Sequence, residues 1–245
     1  MSAPFLTTRW SLVAAAGDVE RAREALGELA RIYWYPLYAH ARRLGLDSHA
    51  AEDVVQSFFA RLYATHDLAR VSAETGRFRG FLRVALAHHV ANHRAAARAE
   101  KRGGGRVALG VDIGEAEARY LGEAVGREED PARTYDRAFA RTLVARALGR
   151  VGDEYRATGR GPLYEALAVH LEGQGDGPAG SPAERAEERA RAAAALGLDP
   201  GAFRVALHRL RQRLGEALRD EVRDTVRDPA ETEDELRSLL RALVG

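Results

Sequence analysis

The sequence predicts an all-α protein built from two small helical domains. Apolar residues recur at three- and four-residue steps over most of the chain, which is the period of a helix with one buried face. Signals that start and end helices separate these stretches, among them Gly45, Asp47, Ser181-Pro182 and Asp199-Pro200. No segment has the alternation expected of a strand, and no repeat of constant length occurs.

The composition excludes several classes of function. Lysine and arginine total 37 against 36 aspartates and glutamates, so affinity for a nucleic acid must come from local clusters of charge. The chain has no cysteine, which excludes disulfides, thiol catalysis and cysteine-based zinc sites. No apolar run has the length of a signal peptide or a membrane span. We therefore expect a soluble, cytoplasmic protein with no membrane partner.

Three helices are predicted in a first domain, residues 17–103. Pro36 is expected to kink or split the first helix, and Gly45 to close it. Asp47 or Ser48 is expected to cap the second helix, which carries a broad apolar face and an opposite polar face.

The third predicted helix lies in the most cationic segment, residues 76–102. No acidic residue occurs between Glu74 and Glu100, while arginines accumulate beside an apolar stripe. One cationic face on a nearly neutral protein suggests a polyanionic partner. The alternative is a solvated arginine-rich surface, since Lys101 is the only lysine.

After an acidic, loosely structured linker at residues 104–131, a second helical domain is predicted at residues 132–219. Ser181 and Glu184 have the spacing of a capping box, and Gly197 is placed to make a turn before a second helix. This order is the helix-turn-helix layout, although a helical hairpin inside a bundle has the same pattern. Residues 220–245 form a net-acidic helical tail.

No catalytic constellation is found. His89 and His93 share a helix face near His88, but the segment lacks the glutamate of the zinc-protease pattern and an obvious third ligand. The glycines at 103–105 follow a helix and therefore do not form a phosphate-binding loop. We expect no enzymatic activity, no cofactor and no metal, and we expect these histidines to lie near phosphate.

Two stretches together resemble bacterial sigma factors of the sigma-70 family, extracytoplasmic-function type. DSHAAEDVVQSFFARLY and GRFRGFLRVALAHHVANHRAAARAEKR are similar to region 2, and LGLDPGAFRVALHRLRQRL is similar to the recognition half of region 4. The motif Ala51–Gln56 followed by paired aromatics carries the region 2 resemblance. The order also agrees, and the resemblance covers residues 17 to about 218.

The resemblance implies transcription initiation with two partners, core RNA polymerase (β′ and β subunits) and promoter DNA. The residues matching the polymerase-binding face are Glu52, Asp53, Gln56 and Arg61. The loop at 65–76 and the basic helix would face the −10 element during strand opening, through Arg77, Arg79, Arg83, His88, Arg94, Arg98, Lys101 and Arg102. The second helix of region 4 would enter the −35 major groove with Arg204, His208 and Arg209, while Arg211 and Arg213 lie nearer the DNA backbone.

Two alternatives stay open at this point. The first is a stand-alone helix-turn-helix repressor or activator, which would not need the polar face at Asp53 and Gln56. The second is an arginine-rich, metal-dependent hydrolase that uses the histidines. Regulation by a partner such as an anti-sigma factor, or by the C-terminal tail, is also left open.

Overall fold

The computed structural model describes residues 19–65, 78–99, 112–123, 130–171, 181–226 and 228–244. These residues are helical with connecting turns and contain no strand, which confirms the all-α prediction. The helices are α1 (Val19–Arg43), α2 (Ser48–Thr65), α3 (Phe78–Ala99), α4 (Ile113–Gly122), α5 (Pro131–Ala157), α6 (Gly161–Ala168), α7 (Pro182–Ala195), α8 (Pro200–Arg223) and α9 (Thr232–Val244), with a 3-10 turn at Pro229–Glu231.

The chain divides into two compact units. Unit 1 comprises residues 1–143 and 222–245, and unit 2 comprises residues 144–221. These boundaries differ from the four segments that the sequence suggested. Part of the predicted linker is the helix α4, whose N-terminus is capped by Asp112 through hydrogen bonds from the backbone N–H groups of Gly114 and Glu115.

Of the two outcomes predicted at Pro36, a split is wrong: helix α1 continues to Arg43 with the proline inside. Proline costs a helix interior about 3 kcal/mol. Burial of the surrounding residues offsets this cost, because Ile32 to Ala41 are almost completely shielded from solvent. Gly45, at φ 91°, then ends the helix as predicted. Its N–H binds the carbonyl of Arg42 at 3.0 Å, and the next N–H reaches that of Ala41 at 3.3 Å.

An aromatic cluster forms the core of unit 1. Tyr33 stacks on Phe139 with ring centroids 5.0 Å apart and meets the edge of Phe78 at 5.4 Å. Trp34 stacks on Tyr38 at 5.2 Å. The aromatic residues Tyr33 to Tyr38 of α1 therefore pack inside unit 1.

Helix α4 is attached to α1 through a charged contact. Arg42 donates two hydrogen bonds to the carboxylate of Glu117, at 2.7 and 3.1 Å, and Tyr38 donates a third. Arg119 lies 3.6 Å over the ring of Tyr35. Polar residues of the predicted linker therefore have partners on α1.

His40 connects α1 to the first turn of α5. Its Nδ1 lies 2.9 Å from the carbonyl oxygen of Pro131. Because a carbonyl only accepts, Nδ1 carries the proton, and the buried Nε2 has no hydrogen-bond partner among the described residues. Burial lowers the pKa of His40, outweighing the hydrogen bond to Pro131 and the neighbouring Asp130 and Asp136.

We expect unit 1 to lose stability as the pH falls below about 6.5, the pKa of histidine in an unfolded chain. In that range the unfolded chain binds a proton that folded His40 excludes, so the free energy of unfolding rises with pH. His40→Asn removes this titration and keeps a donor for the Pro131 carbonyl. The difference in the free energy of unfolding between wild type and His40→Asn should therefore change between about pH 5 and pH 7.5.

Urea unfolding followed by tryptophan fluorescence measures this effect, since neither tryptophan lies in residues 144–221. His88→Asn is the control, because His88 is exposed. The free energy of unfolding of His88→Asn should change with pH as that of the wild type does. If the free energies of unfolding of wild type and His40→Asn had the same pH dependence, the prediction would be contradicted.

Candidate nucleic-acid and polymerase interfaces

Helix α7 of unit 2 begins with the predicted capping box. The backbone N–H of Glu184 binds the hydroxyl of Ser181 at 3.2 Å, and the Glu184 carboxylate accepts from the N–H of Ser181 at 2.5 Å. Pro182 occupies the first helical position, where its missing N–H costs nothing. The beginning of α7 is therefore determined locally by sequence.

The turn between α7 and α8 is closed by Gly197 and Asp199. Gly197 has φ 65°, a conformation that favours glycine, and its N–H binds the carbonyl of Ala194 at 3.0 Å. The Asp199 carboxylate accepts from the N–H of Gly201 at 2.7 Å and from that of Ala202 at 3.3 Å. The two helices and their turn thus have the predicted helix-turn-helix order.

The inner face of α8 holds this motif in unit 2. Phe203, Leu207 and Leu210 are buried with Leu167 of α6 and Ala193 of α7. Helix α7 contributes the small residue Ala193 to that buried cluster, with Ala192 packed against it. Large residues of α8 therefore supply the apolar contact area that anchors α7.

The outer face of α8 is cationic and free of intramolecular partners. Arg204, His208 and Arg209 are exposed and make no hydrogen bond or ion pair within the described part of the chain. Val205 lies among them and is 51% exposed. No acidic residue occurs between Asp199 and Glu216. This surface can accept an anion without breaking an internal contact.

Arg211 and Arg213 have internal partners instead. Arg213 donates to both oxygens of Glu154 on α5, at 2.6 and 2.8 Å, and to Glu216 at 3.2 Å. The hydrogen bond from Arg213 lowers the pKa of Glu154. Arg211 donates to the carbonyl of His170 at 3.0 Å. Both side chains were predicted to approach the DNA backbone, and in this structure they contact the protein.

The basic helix α3 of unit 1 differs from prediction at Arg79. Its apolar residues face inward as expected, with Phe78, Leu82, Leu86 and Val90 buried. Arg79 was placed on the outward cationic face, but it is only 8% exposed. Its guanidinium donates to Asp136 of α5 and to Glu235 of α9, and to the hydroxyl of Ser238 at 3.0 Å.

The two carboxylates explain why Arg79 is tolerated inside unit 1. Burial alone would lower the pKa of Arg79, but Glu235 and Asp136 outweigh it, so that the pKa is raised and the side chain is charged. A helical wheel of α3 shows only that position 79 is polar. The partners lie 57 and 156 residues further along the chain, beyond the reach of a local pattern.

The other residues of α3 that were predicted to contact DNA differ in exposure and in their internal partners. Arg83 is half-buried and lies 3.9 Å from Asp136. His88 is exposed, and exposed Arg94 donates to the carbonyl of Leu44 at 2.5 Å. The residues that fall outside the described part, by position or by side chain, are Arg77, Arg98, Lys101, Arg102 and the loop at 66–76.

The predicted polymerase-binding residues lie together on the polar side of α2. Glu52, Asp53 and Gln56 are half-buried, and Arg61 is exposed. The amide of Gln56 donates to Glu52 at 2.8 Å, one helical turn away. Val54, Val55, Phe58, Phe59 and Leu62 are buried on the opposite side. The structure therefore brings the four predicted residues to one helix and leaves part of each accessible.

One histidine of α3 contacts α2. His89 Nε2 lies 2.8 Å from the hydroxyl of Ser57, and its ring contacts Phe58. No group of three or more ligating side chains that could hold a metal occurs in the described residues. Nor is any helix in those residues long and apolar enough to cross a membrane.

Comparison with known proteins leaves the chain without a family assignment. No protein-family model, no curated protein and no solved structure matches it. Any function must therefore be argued from the sequence pattern and from the geometry of these surfaces.

Replacing Arg79 by methionine should lower the free energy of unfolding of unit 1 by about 3–5 kcal/mol, because Glu235 would remain buried without its cation. Urea unfolding followed by tryptophan fluorescence measures the loss. Arg94→Met changes an exposed arginine of the same helix and should cost no more than about 1 kcal/mol.

A double variant, Arg79→Met with Glu235→Leu, should recover part of that stability, since it removes the buried carboxylate together with its cation and leaves only the half-buried Asp136. Equal losses in Arg79→Met and Arg94→Met would show that the buried pair has no special role.

Proposed function

We propose that this protein is a sigma-type initiation factor, which binds core RNA polymerase through the polar side of α2 and promoter DNA through the outer face of α8. The carrying observation is the cationic outer face of α8, with Arg204, His208 and Arg209 exposed and without internal partners. The capped helix-turn-helix presents this face, and the resemblance to sigma factors supplies the biological context.

Several arginines of unit 2 are engaged in internal ion pairs. Arg146 contacts Glu221 at 2.8 Å, Arg150 contacts Asp220 at 2.5 Å, Arg156 contacts Asp153 at 2.6 Å and Arg213 contacts Glu154 at 2.6 Å. Arg204 and Arg209 make no such contact within the described residues, so both guanidinium groups are available to a ligand. Two available guanidinium groups on one exposed helix suit a surface that binds phosphates and bases.

The guanidinium group also suits base recognition. An arginine in the major groove can donate two hydrogen bonds to O6 and N7 of guanine, which distinguishes guanine from the other bases. Arg204 and His208 are one helical turn apart, and Arg209 follows His208 on the same exposed side of α8. We assign sequence selection to these three side chains and leave Arg211 and Arg213 to the internal contacts of unit 2.

Fewer residues of unit 1 are available to contact the −10 element than the sequence suggested. Arg79 is buried in an ion-pair network and is therefore not accessible to DNA. Arg83, His88 and Arg94 still have solvent access on α3. For polymerase, the supporting observation is that Glu52, Asp53 and Gln56 share one accessible side of α2.

Charge reversal on α2 tests the polymerase contact. In a pull-down with bacterial core RNA polymerase, wild type should bind, and Asp53→Arg with Gln56→Arg should reduce binding at least about tenfold, because an interface charge would meet a like charge. Glu165→Arg, at an exposed site on α6, is the control and should bind as wild type does. Failure of the wild type to bind would favour a stand-alone helix-turn-helix regulator.

Removing arginines from α8 tests the DNA contact. Random-sequence duplexes are selected with the full chain, alone and with core polymerase, and binding to the enriched duplex is then measured. Arg204→Ala and Arg209→Ala should each weaken binding about 5- to 100-fold and relax the preference at one base pair, because each bidentate contact discriminates by about 1–3 kcal/mol.

Arg156→Ala, at an exposed arginine paired with Asp153, should leave the affinity unchanged. Equal losses for all three variants, with no change in base preference, would indicate nonspecific attraction rather than sequence recognition.

A further inference from the structure

An apolar residue interrupts the cationic outer face of α8. Val205 is 51% exposed, and its helical neighbours one turn further along that face are His208 and Arg209. A single exposed valine needs no explanation on most surfaces. Here the valine lies one turn before His208 and Arg209, two polar side chains that have no partner in the described chain.

Neither folding nor solubility accounts for Val205. The core positions of α8 are taken by Phe203, Leu207 and Leu210, which lie on the opposite side of the helix. A β-branched residue is also a poorer helix former than alanine, arginine or lysine at an exposed position. The fold would therefore be served as well by a polar residue, and a role in binding is the simpler explanation.

Valine can recognise one group in the major groove. It has no hydrogen-bond donor or acceptor, so it cannot read the polar edges of guanine, adenine or cytosine. Thymine alone presents a methyl group there, at C5. We propose that Val205 is a specificity-determining residue that packs on the 5-methyl group of a thymine next to a guanine bound by Arg204 or Arg209. This inference rests on the proposed DNA binding by α8.

The helix geometry restricts where that thymine lies. Val205 and Arg209 are one turn apart, a rise of about 6 Å along the axis. Neighbouring base pairs are separated by about 3.4 Å. A helix lying along the groove therefore places the thymine within about two base pairs of the guanine.

Replacing thymine by deoxyuridine removes only the 5-methyl group, and so provides the test. The probe is the duplex enriched by the full chain, with deoxyuridine introduced at one thymine at a time. Wild type should lose about fourfold in affinity at one thymine, the value of one buried methyl group. Val205→Ala should bind the parent duplex about fourfold more weakly and show no further loss at that thymine.

Two variants serve as controls. Val205→Thr keeps a methyl group on Cβ and should retain part of the difference between thymine and deoxyuridine. Val169→Ala removes the same two methyl groups at a site that is 72% exposed and should behave as wild type. Circular dichroism should show equal helicity in all variants, since both valines lie outside the core.

The outcomes separate this inference from the proposed function. If the enriched duplex binds but Val205→Ala keeps the full response to deoxyuridine, the thymine contact is wrong and DNA binding by α8 stands. If no duplex is enriched with or without core polymerase, the proposed function fails and the inference fails with it. A response confined to one thymine and abolished in Val205→Ala establishes the contact.

Discussion

One buried guanidinium ties together three segments of unit 1. Arg79 of α3 binds Asp136 of α5 and Glu235 and Ser238 of α9, so that helices distant in sequence meet at a single charged centre. Such a contact is costly to break from either side, because the remaining charge stays buried. It also determines what α3 can offer to a partner. The Arg79 guanidinium is engaged inside unit 1, so contact of α3 with an anion depends on its exposed and half-buried residues, such as Arg83 and Arg94.

The same distinction, between arginines that hold the fold and arginines left for a partner, runs through the described part of the molecule. Arg42 binds Glu117 in unit 1, and Arg146, Arg150 and Arg213 bind carboxylates in unit 2. Arg204 and Arg209 on the outer face of α8 lack such partners within the described residues, and the segment between Asp199 and Glu216 contains no acidic residue. In a chain whose charges nearly cancel, binding of a polyanion depends on where carboxylates are missing rather than on the number of arginines.

Local features of the structure were predictable from the sequence, and long-range features were not. The capping box at Ser181, the turn at Gly197 and the two faces of α8 depend on residues within one or two helical turns, so their patterns could be recognised. Pro36 inside α1 and Arg79 inside unit 1 are different, because tertiary burial decides both. The acidic composition of residues 112–123 suggested a linker, but Glu117 is neutralised by Arg42, a partner 75 residues earlier. The exposed face of α8 could therefore be predicted from the sequence. Which arginines pair with carboxylates inside the protein could be learned only from the structure.

The limits on what α8 can recognise follow from its side chains. Phosphate contacts give affinity without sequence information, whereas base edges are read by groups that match them. Arg204 and Arg209 match the acceptors of guanine, and both are long enough to serve phosphates as well. Val205 has no such second role, because an apolar side chain gains nothing from a phosphate. In the proposed complex, a short apolar residue beside longer cations must come close to a base before it contributes, which would require α8 to enter the groove rather than rest on the backbone. The contribution of Val205 would therefore be to selectivity among bases rather than to attraction for the phosphates.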